Sequence, residues 1–292
     1  AVDTVIALDT AMIDLRKTTT ATEEEYRQFY LTANETAKAL GVTTEEIISQ
    51  TAEWSRLGYS MQEAAKLAEN SAIFRAVSPE MDISMATDGL VSIIKAFDID
   101  VNDSLDGIVS KVNAVGNAFA VSNADVVEAL TRSSAAMAVA NNTFDETVAL
   151  ATAAIEITRD ASSVGNALKT ISMRIRGYDE ETEEYVGGVQ ELTGAIADLT
   201  KTASNPTGVS LFEKGDPDTY RSTYDILADI ADIWDELTDK NRANLLETLF
   251  GKQRAQVGAA MLSNFEQAKA AIDTMMDSAG SAEAEMENIY QS

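Results

Sequence analysis

At five places in the first 150 residues where a helical pattern starts, a hydroxyl side chain stands three positions ahead of an acid: Thr22 before Glu25, Thr43 before Glu46, Ser60 before Glu63, Ser122 before Asp125 and Thr143 before Glu146. This is the spacing of a capping box. The hydroxyl accepts from an orphan amide of the first helical turn, and the acid reaches back to the cap amide. Ser122 with Asp125 is the looser version, because aspartate is one methylene shorter. Proline, which removes an amide and clashes inside a helix, occurs only three times in 292 residues. Gly41 and Gly58 fall where left-handed C-terminal caps belong. These signals predict helices near 3–17, 23–40, 44–57, 61–77, 84–97, 103–119, 123–140, 144–159 and 163–176. The short links between them imply antiparallel hairpins. The fold class is all-α, a multi-helix array of antiparallel helical hairpins.

The regularity fails over 177–222. "GYDEETEEYVGG" is acidic and bracketed by glycines, and "SNPTGVSLFEKGDPDTY" gathers Pro206, Gly208, Gly215 and Pro217. A helix fits between them at 188–203, and 204–220 reads as an irregular segment or a small hairpin. The expected organisation is a helical-hairpin core over 1–203, a linker over 204–222, and a helical hairpin or coiled-coil module over 223–292. Two hairpins in the core, 41–68 and 120–151, share a pattern. Val42, Thr43, Ile47 and Ile48 match Val121, Ser122, Val126 and Val127, and Ser60, Glu63 and Leu67 match Thr143, Glu146 and Leu150. Duplication and independent use of the same start signals both account for this. Beyond the linker, Ile226, Ile230, Ile233 and Leu237 follow heptad spacing, as do Val257, Met261, Phe265, Ala268, Ile272 and Met275. The spacing suits ordinary bundle packing or self-association as a coiled coil.

Charge and missing residue types narrow the function. Forty-eight acids against 22 bases leave a net charge of −26. Nucleic-acid binders need a basic face to displace counterions, so direct binding to DNA or RNA is not expected. The chain has no histidine and no cysteine, which excludes disulfides, thiolate metal sites and histidine-based triads. No apolar run reaches the ~18–20 residues of a membrane span, and Asp3, Asp9 and Asp14 interrupt the first helix, so no signal peptide is expected. Both ends fall within helical patterns, as in a piece of something longer.

Three stretches carry residue types that chemistry could use. In "DIDVNDSLDGIV", Asp98, Asp100 and Asn102 occupy the first ligand positions of a calcium loop. However, Asp103 stands where that loop needs glycine and Val109 where it needs a bidentate glutamate. An acidic interhelix loop, with Asn102 capping the next helix, explains it better. In "LLETLFGKQRAQVGAAML", Gly251–Lys252 suggests a phosphate loop, yet Leu246 replaces the first glycine and Gln253 the hydroxyl residue. Gly251 is better placed to end a helix, with Lys252 near its negative pole. In "SMRIRGY", Arg174 and Arg176 stand at a helix end before Gly177, which helix-dipole complementarity also covers. Arg174, Arg176, Lys252 and Arg254 are therefore structural cations first and candidate docking patches for an acidic partner second. No catalytic, cofactor-binding or metal-binding residue is assigned.

Read in order, three segments resemble the core region of phage tail tape measure proteins of long-tailed phages and prophages. They are "LGVTTEEIISQTAEWSRLGYSMQEAAKLAENSAIF", the stretch from "VSNADVVEAL" to "ISMRI", and the "LFG" at Leu249–Phe250–Gly251. The second contains a small-residue turn and an Ala-Leu-Lys helix around Gly165, Ala167, Leu168 and Lys169. The likeness covers most of 38–280. One departure is that relatives often carry a further glycine near 160 or 161, where this chain has Asp160 and Ala161.

The resemblance implies a virion protein of the tail, assembled in the host cytoplasm, that helps set tail length, nucleates tube assembly and leaves ahead of the DNA. It implies tail tube protein, tail-tip or baseplate proteins and tail assembly chaperones as partners, and Gly165, Leu168, Leu249, Phe250 and Gly251 as structural motif residues. An acidic surface fits a protein that must not hold the DNA following it. Fully helical, 292 residues would span about 440 Å at ~1.5 Å per residue. Capped helices with short links instead suggest a compact module near one end of the ruler. The alternatives are a membrane-active ejection or channel-forming protein, a cell-wall-degrading enzyme using two carboxylates, and a non-catalytic helical adaptor.

Overall fold

The helices after Thr22, Thr43, Ser60, Ser122 and Thr143 begin where these caps predict them. The structure, a computed structural model, describes residues 2–179, 184–185 and 189–291. The rest of the acidic stretch expected to break the helical pattern, 180–183 and 186–188, lies outside the described residues. Fourteen α-helices are described: α1 (Val2–Thr18), α2 (Glu23–Leu40), α3 (Thr44–Arg56), α4 (Met61–Ala76), α5 (Ile83–Phe97), α6 (Ser110–Ala118), α7 (Asn123–Val139), α8 (Phe144–Thr158), α9 (Ala161–Arg174), α10 (Val189–Leu199), α11 (Thr223–Asp232), α12 (Asp239–Ser263), α13 (Phe265–Met276) and α14 (Ser281–Gln291). The all-α class holds. Four of the five capping boxes are complete, at Thr22, Ser60, Ser122 and Thr143. Thr43 caps the Glu46 amide, but the Glu46 carboxylate turns instead to Arg75, 2.6 Å away. Gly41 (φ 64°) takes the left-handed conformation at the end of α2.

The chain packs into two compact units, one built from 1–94, 99–113 and 278–292, the other from 95–98 and 114–277. These lines differ from the modules drawn at 204–222: that segment, with what precedes and follows it, belongs largely to the second unit. Each unit contains one of the two matching hairpins. In the first unit, α3 packs on α4, α1 and α2. Ala11, Leu15, Tyr26, Phe29, Ala33, Ala37, Ile47 and Ile48 form its core. Burying each large apolar side chain stabilises by about 1.5–3 kcal/mol. The only polar atom of the Trp54 side chain, Nε1, donates to Ser71 Oγ at 3.2 Å, which allows the indole to be wholly buried.

The second unit is organised around α8, buried on every side over 147–155 and covered by α7, α9, α12 and α13. Its buried hydroxyls, Thr147 and Thr152, donate to the carbonyls of Thr143 and Val148. The irregular segment contains a small hairpin, as the sequence allowed: β3 (Phe212–Glu213) pairs antiparallel with β4 (Asp216–Tyr220). A second two-stranded pair joins β1 (Tyr178–Asp179) to β2 (Glu184–Tyr185).

Three sequence expectations are corrected. The helix expected over 103–119 starts as a 3₁₀ turn (Val101–Asp103) and a π-helical turn (Leu105–Val109) before α6. Its cap is Asp100, whose Oδ1 accepts from the Asn102 amide, and not Asn102. The heptad seams are not continuous. Helix α11 ends at Asp232 and Leu237 follows a 3₁₀ turn, while the second seam breaks at Asn264 between α12 and α13. The seam residues nevertheless face inward, because short bundle helices and coiled coils demand the same apolar spacing.

Candidate functional site

Helix α12 is two helical halves joined at Gly251, whose φ of 72° and ψ of 166° lie in a region open essentially to glycine alone. The chain turns there so that Phe250, fully buried, lies against Gly258 of the next half. A Cβ on Gly258 would stand 2.3 Å from the Phe250 ring. Leu245 and Leu249 are also buried. Leu249–Phe250–Gly251 is thus a helix break with an aromatic anchor seated on a missing side chain. Gly258 was not singled out in the sequence; its signal is a bare position eight residues after the aromatic.

Arg174 closes the break from outside α12. Its Nε donates to the Thr248 carbonyl at 3.2 Å, and its guanidinium lies over Gly251. That carbonyl belongs to the last turn before the break, whose acceptors lack helical partners and carry the negative pole. The helix-dipole role read for Lys252 is therefore filled by Arg174, from α9. Lys252 points outward, with its side chain 81% exposed and 3.4 Å from Glu247.

The other two cations go elsewhere. Arg176 donates to the Ser172 carbonyl and stacks over the Tyr220 ring at 5.0 Å, with Tyr220 resting against Phe212 at 4.5 Å between centroids. Burial lowers its pKa from the ordinary arginine value, and its Nη2 has no hydrogen-bond partner. Arg254 lines a cleft of about 520 Å³ between α12 and the α8–α9 corner, with Asp160, Ser163, Asn166, Gln253 and Gln256. The structure thus joins Arg174 to Gly251, ties Arg176 to the β3–β4 hairpin, and leaves Lys252 and Arg254 as surface and cleft cations.

Gly165 sits where α9 crosses α7. A Cβ there would lie 2.7 Å from the Ala129 carbonyl oxygen and 3.0 Å from its Cα. Neighbouring Leu168 is fully buried. At the preceding corner Arg159 adopts a left-handed conformation (φ 53°), and Asp160 caps α9 through the Ser163 amide at 2.9 Å. This turn is therefore built without a glycine at 160 or 161. The hydrogen bonds from Ser163 hold the Asp160 carboxyl below its usual pKa. The acidic stretch from Asp98 is likewise structural: Asp100 caps the 3₁₀ turn and Asp106 accepts from the Gly280 amide.

A comparison with family patterns matches residues 32–251 to the phage-related minor tail proteins, three quarters of the chain. The chain belongs to the phage-related minor tail protein family. The matched span runs from α2 through both hairpins and the Gly165 crossing, and its last residue is Gly251, the helix break. Comparisons with curated proteins and with solved structures give no match. Membership makes this a phage tail protein, whose setting is the virion and whose neighbours are other tail proteins.

Proposed function

We propose that this minor tail protein segment is part of a tail tape measure protein, acting without catalysis as a folded helical module that nucleates tail tube assembly. The observation that carries the reading is the family match over 32–251, ending on the anchored break at Leu249–Phe250–Gly251. The family-level likeness supports a structural tail role. Local order argues for a module rather than an extended ruler, since its helices are capped and turned back on one another over short links. Tail length is then controlled through this module's place in the assembly, and the chain leaves with the ejected contents. Tail tube protein, tail-tip or baseplate proteins and assembly chaperones are its partners. Among the described residues no helix is long and apolar enough to cross a membrane.

In this reading Lys252 and Arg254 carry the docking charge, Lys252 with its side chain 81% exposed and Arg254 on the wall of the cleft. The test is charge reversal, Lys252→Glu with Arg254→Glu, in the parent phage. The variant chain should keep its helical circular dichroism while tails become absent or uncontrolled in length under electron microscopy. Normal tails from a correctly folded variant would refute the docking role.

A further inference from the structure

Helix α14 is held to the first unit in an unusual way. Along the π-turn and α6, Asp106, Ser110 and Asn113 stand at i, i+4 and i+7 and make a polar stripe where bundle packing would place an apolar one. The start of α14 docks on that stripe. The Gly280 amide donates to Asp106 Oδ1 at 2.9 Å, and the Ala282 amide to Ser110 Oγ at 3.4 Å. Asn113 Nδ2 lies 3.0 Å from Ser281 Oγ and 2.8 Å from Glu285 Oε2. The stripe thus caps the first turn of α14 from another element, supplying acceptors its leading amides lack.

Apolar anchoring is slight by comparison. Of the side chains described in α14, Ala282 and Met286 are the buried apolar ones. In α4, Ala64, Leu67, Ala68, Ala72, Ile73 and Phe74 are buried. Water can replace each hydrogen bond on a polar seat, so exposing that seat costs far less than exposing an apolar one. Gly280, whose amide makes one of these bonds, takes a left-handed conformation (φ 75°) just before α14 that glycine adopts without strain.

We propose that residues 278–291 are a releasable strap, which undocks from the first unit as one piece while the rest of that unit stays folded. Release frees up to about 48 Å of extended chain. It also uncovers the polar stripe of Asp106, Ser110 and Asn113, together with the part of α4 that α14 covers. This inference does not depend on the tape measure reading.

Hydrogen exchange on the whole chain tests it. Amides of 284–288 should exchange at least about 100-fold faster than those of Leu67–Phe74, through a local opening. Asn113→Ala should speed α14 exchange a further ~5- to 20-fold and leave α3 and α4 unchanged. The chain has no cysteine of its own, so Asn113→Cys with Ser281→Cys gives a single cross-link. Its oxidation should slow α14 to the rate of α4, and reduction should restore the fast phase. Joint exchange of α14 and α4 in the native chain would overturn the proposal. So would an Asn113→Ala effect spread over the whole unit, or a cross-link without effect.

Discussion

Replacing Gly251 by alanine separates backbone strain from packing at the helix break. A Cβ there meets nothing closer than Arg174 Nη1 at 3.5 Å, so steric overlap contributes little. The cost is conformational: φ 72° with ψ 166° is about 1–3 kcal/mol uphill for a residue bearing a Cβ. Alanine has an escape, because it favours a continuous helix by ~1 kcal/mol over glycine. Straightening α12, however, would lift Phe250 off Gly258 and part Arg174 from the Thr248 carbonyl. Losing a buried phenylalanine contact costs about 3–5 kcal/mol, so the strained break remains the cheaper state. Gly251→Ala should therefore keep the break and lower the stability of the second unit by about 1–3 kcal/mol. The assay is urea unfolding followed by fluorescence in a Trp54→Phe background, where Trp234 reports on the second unit alone. Unchanged or increased stability would show that the break is not enforced by the packing of Phe250.

Two further outcomes follow from the same packing and electrostatics. Gly165→Ala forces α7 and α9 apart against backbone atoms of Ala129 and should lower the thermal midpoint, at a cost of about 1–3 kcal/mol. Calorimetry on both chains checks it. The pH response should differ between boxes. Hydrogen bonds from the Ser60 amide and then its hydroxyl hold Glu63 below its usual pKa, so its contribution is present above the unfolded value and lost as pH falls through the folded one. Burial holds Glu146 above its usual pKa, so its contribution is present at low pH and lost as pH rises through the folded value. At pH 7, Glu63→Gln should therefore lower the urea midpoint and Glu146→Gln should leave it equal or raise it, with both differences shrinking towards pH 3.

Local features of the fold were legible in the sequence and distant ones were not. A capping box is written within four residues, and Thr22, Ser60, Ser122 and Thr143 form theirs where expected. Glu46 leaves its box because Arg75 arrives from 29 residues away, which spacing cannot encode. Gly251 reads as a helix end by itself, but its clamp depends on Arg174, 77 positions earlier, and its seat on Gly258. The heptad seams misled for a physical reason: apolar spacing reports which face is buried, not whether the helix runs unbroken through Ile233 or Asn264. The π-turn left no pattern, and the docking of α14 on it joins residues about 170 positions apart.

The most direct test of the central claim is tail length by electron microscopy after in-frame deletion of 41–176 from the parent phage. A nucleating module predicts absent tails or tails of uncontrolled length. Regular tails shortened by about 200 Å, at ~1.5 Å per deleted residue, would mean that the segment lies extended as part of the ruler and would contradict the account.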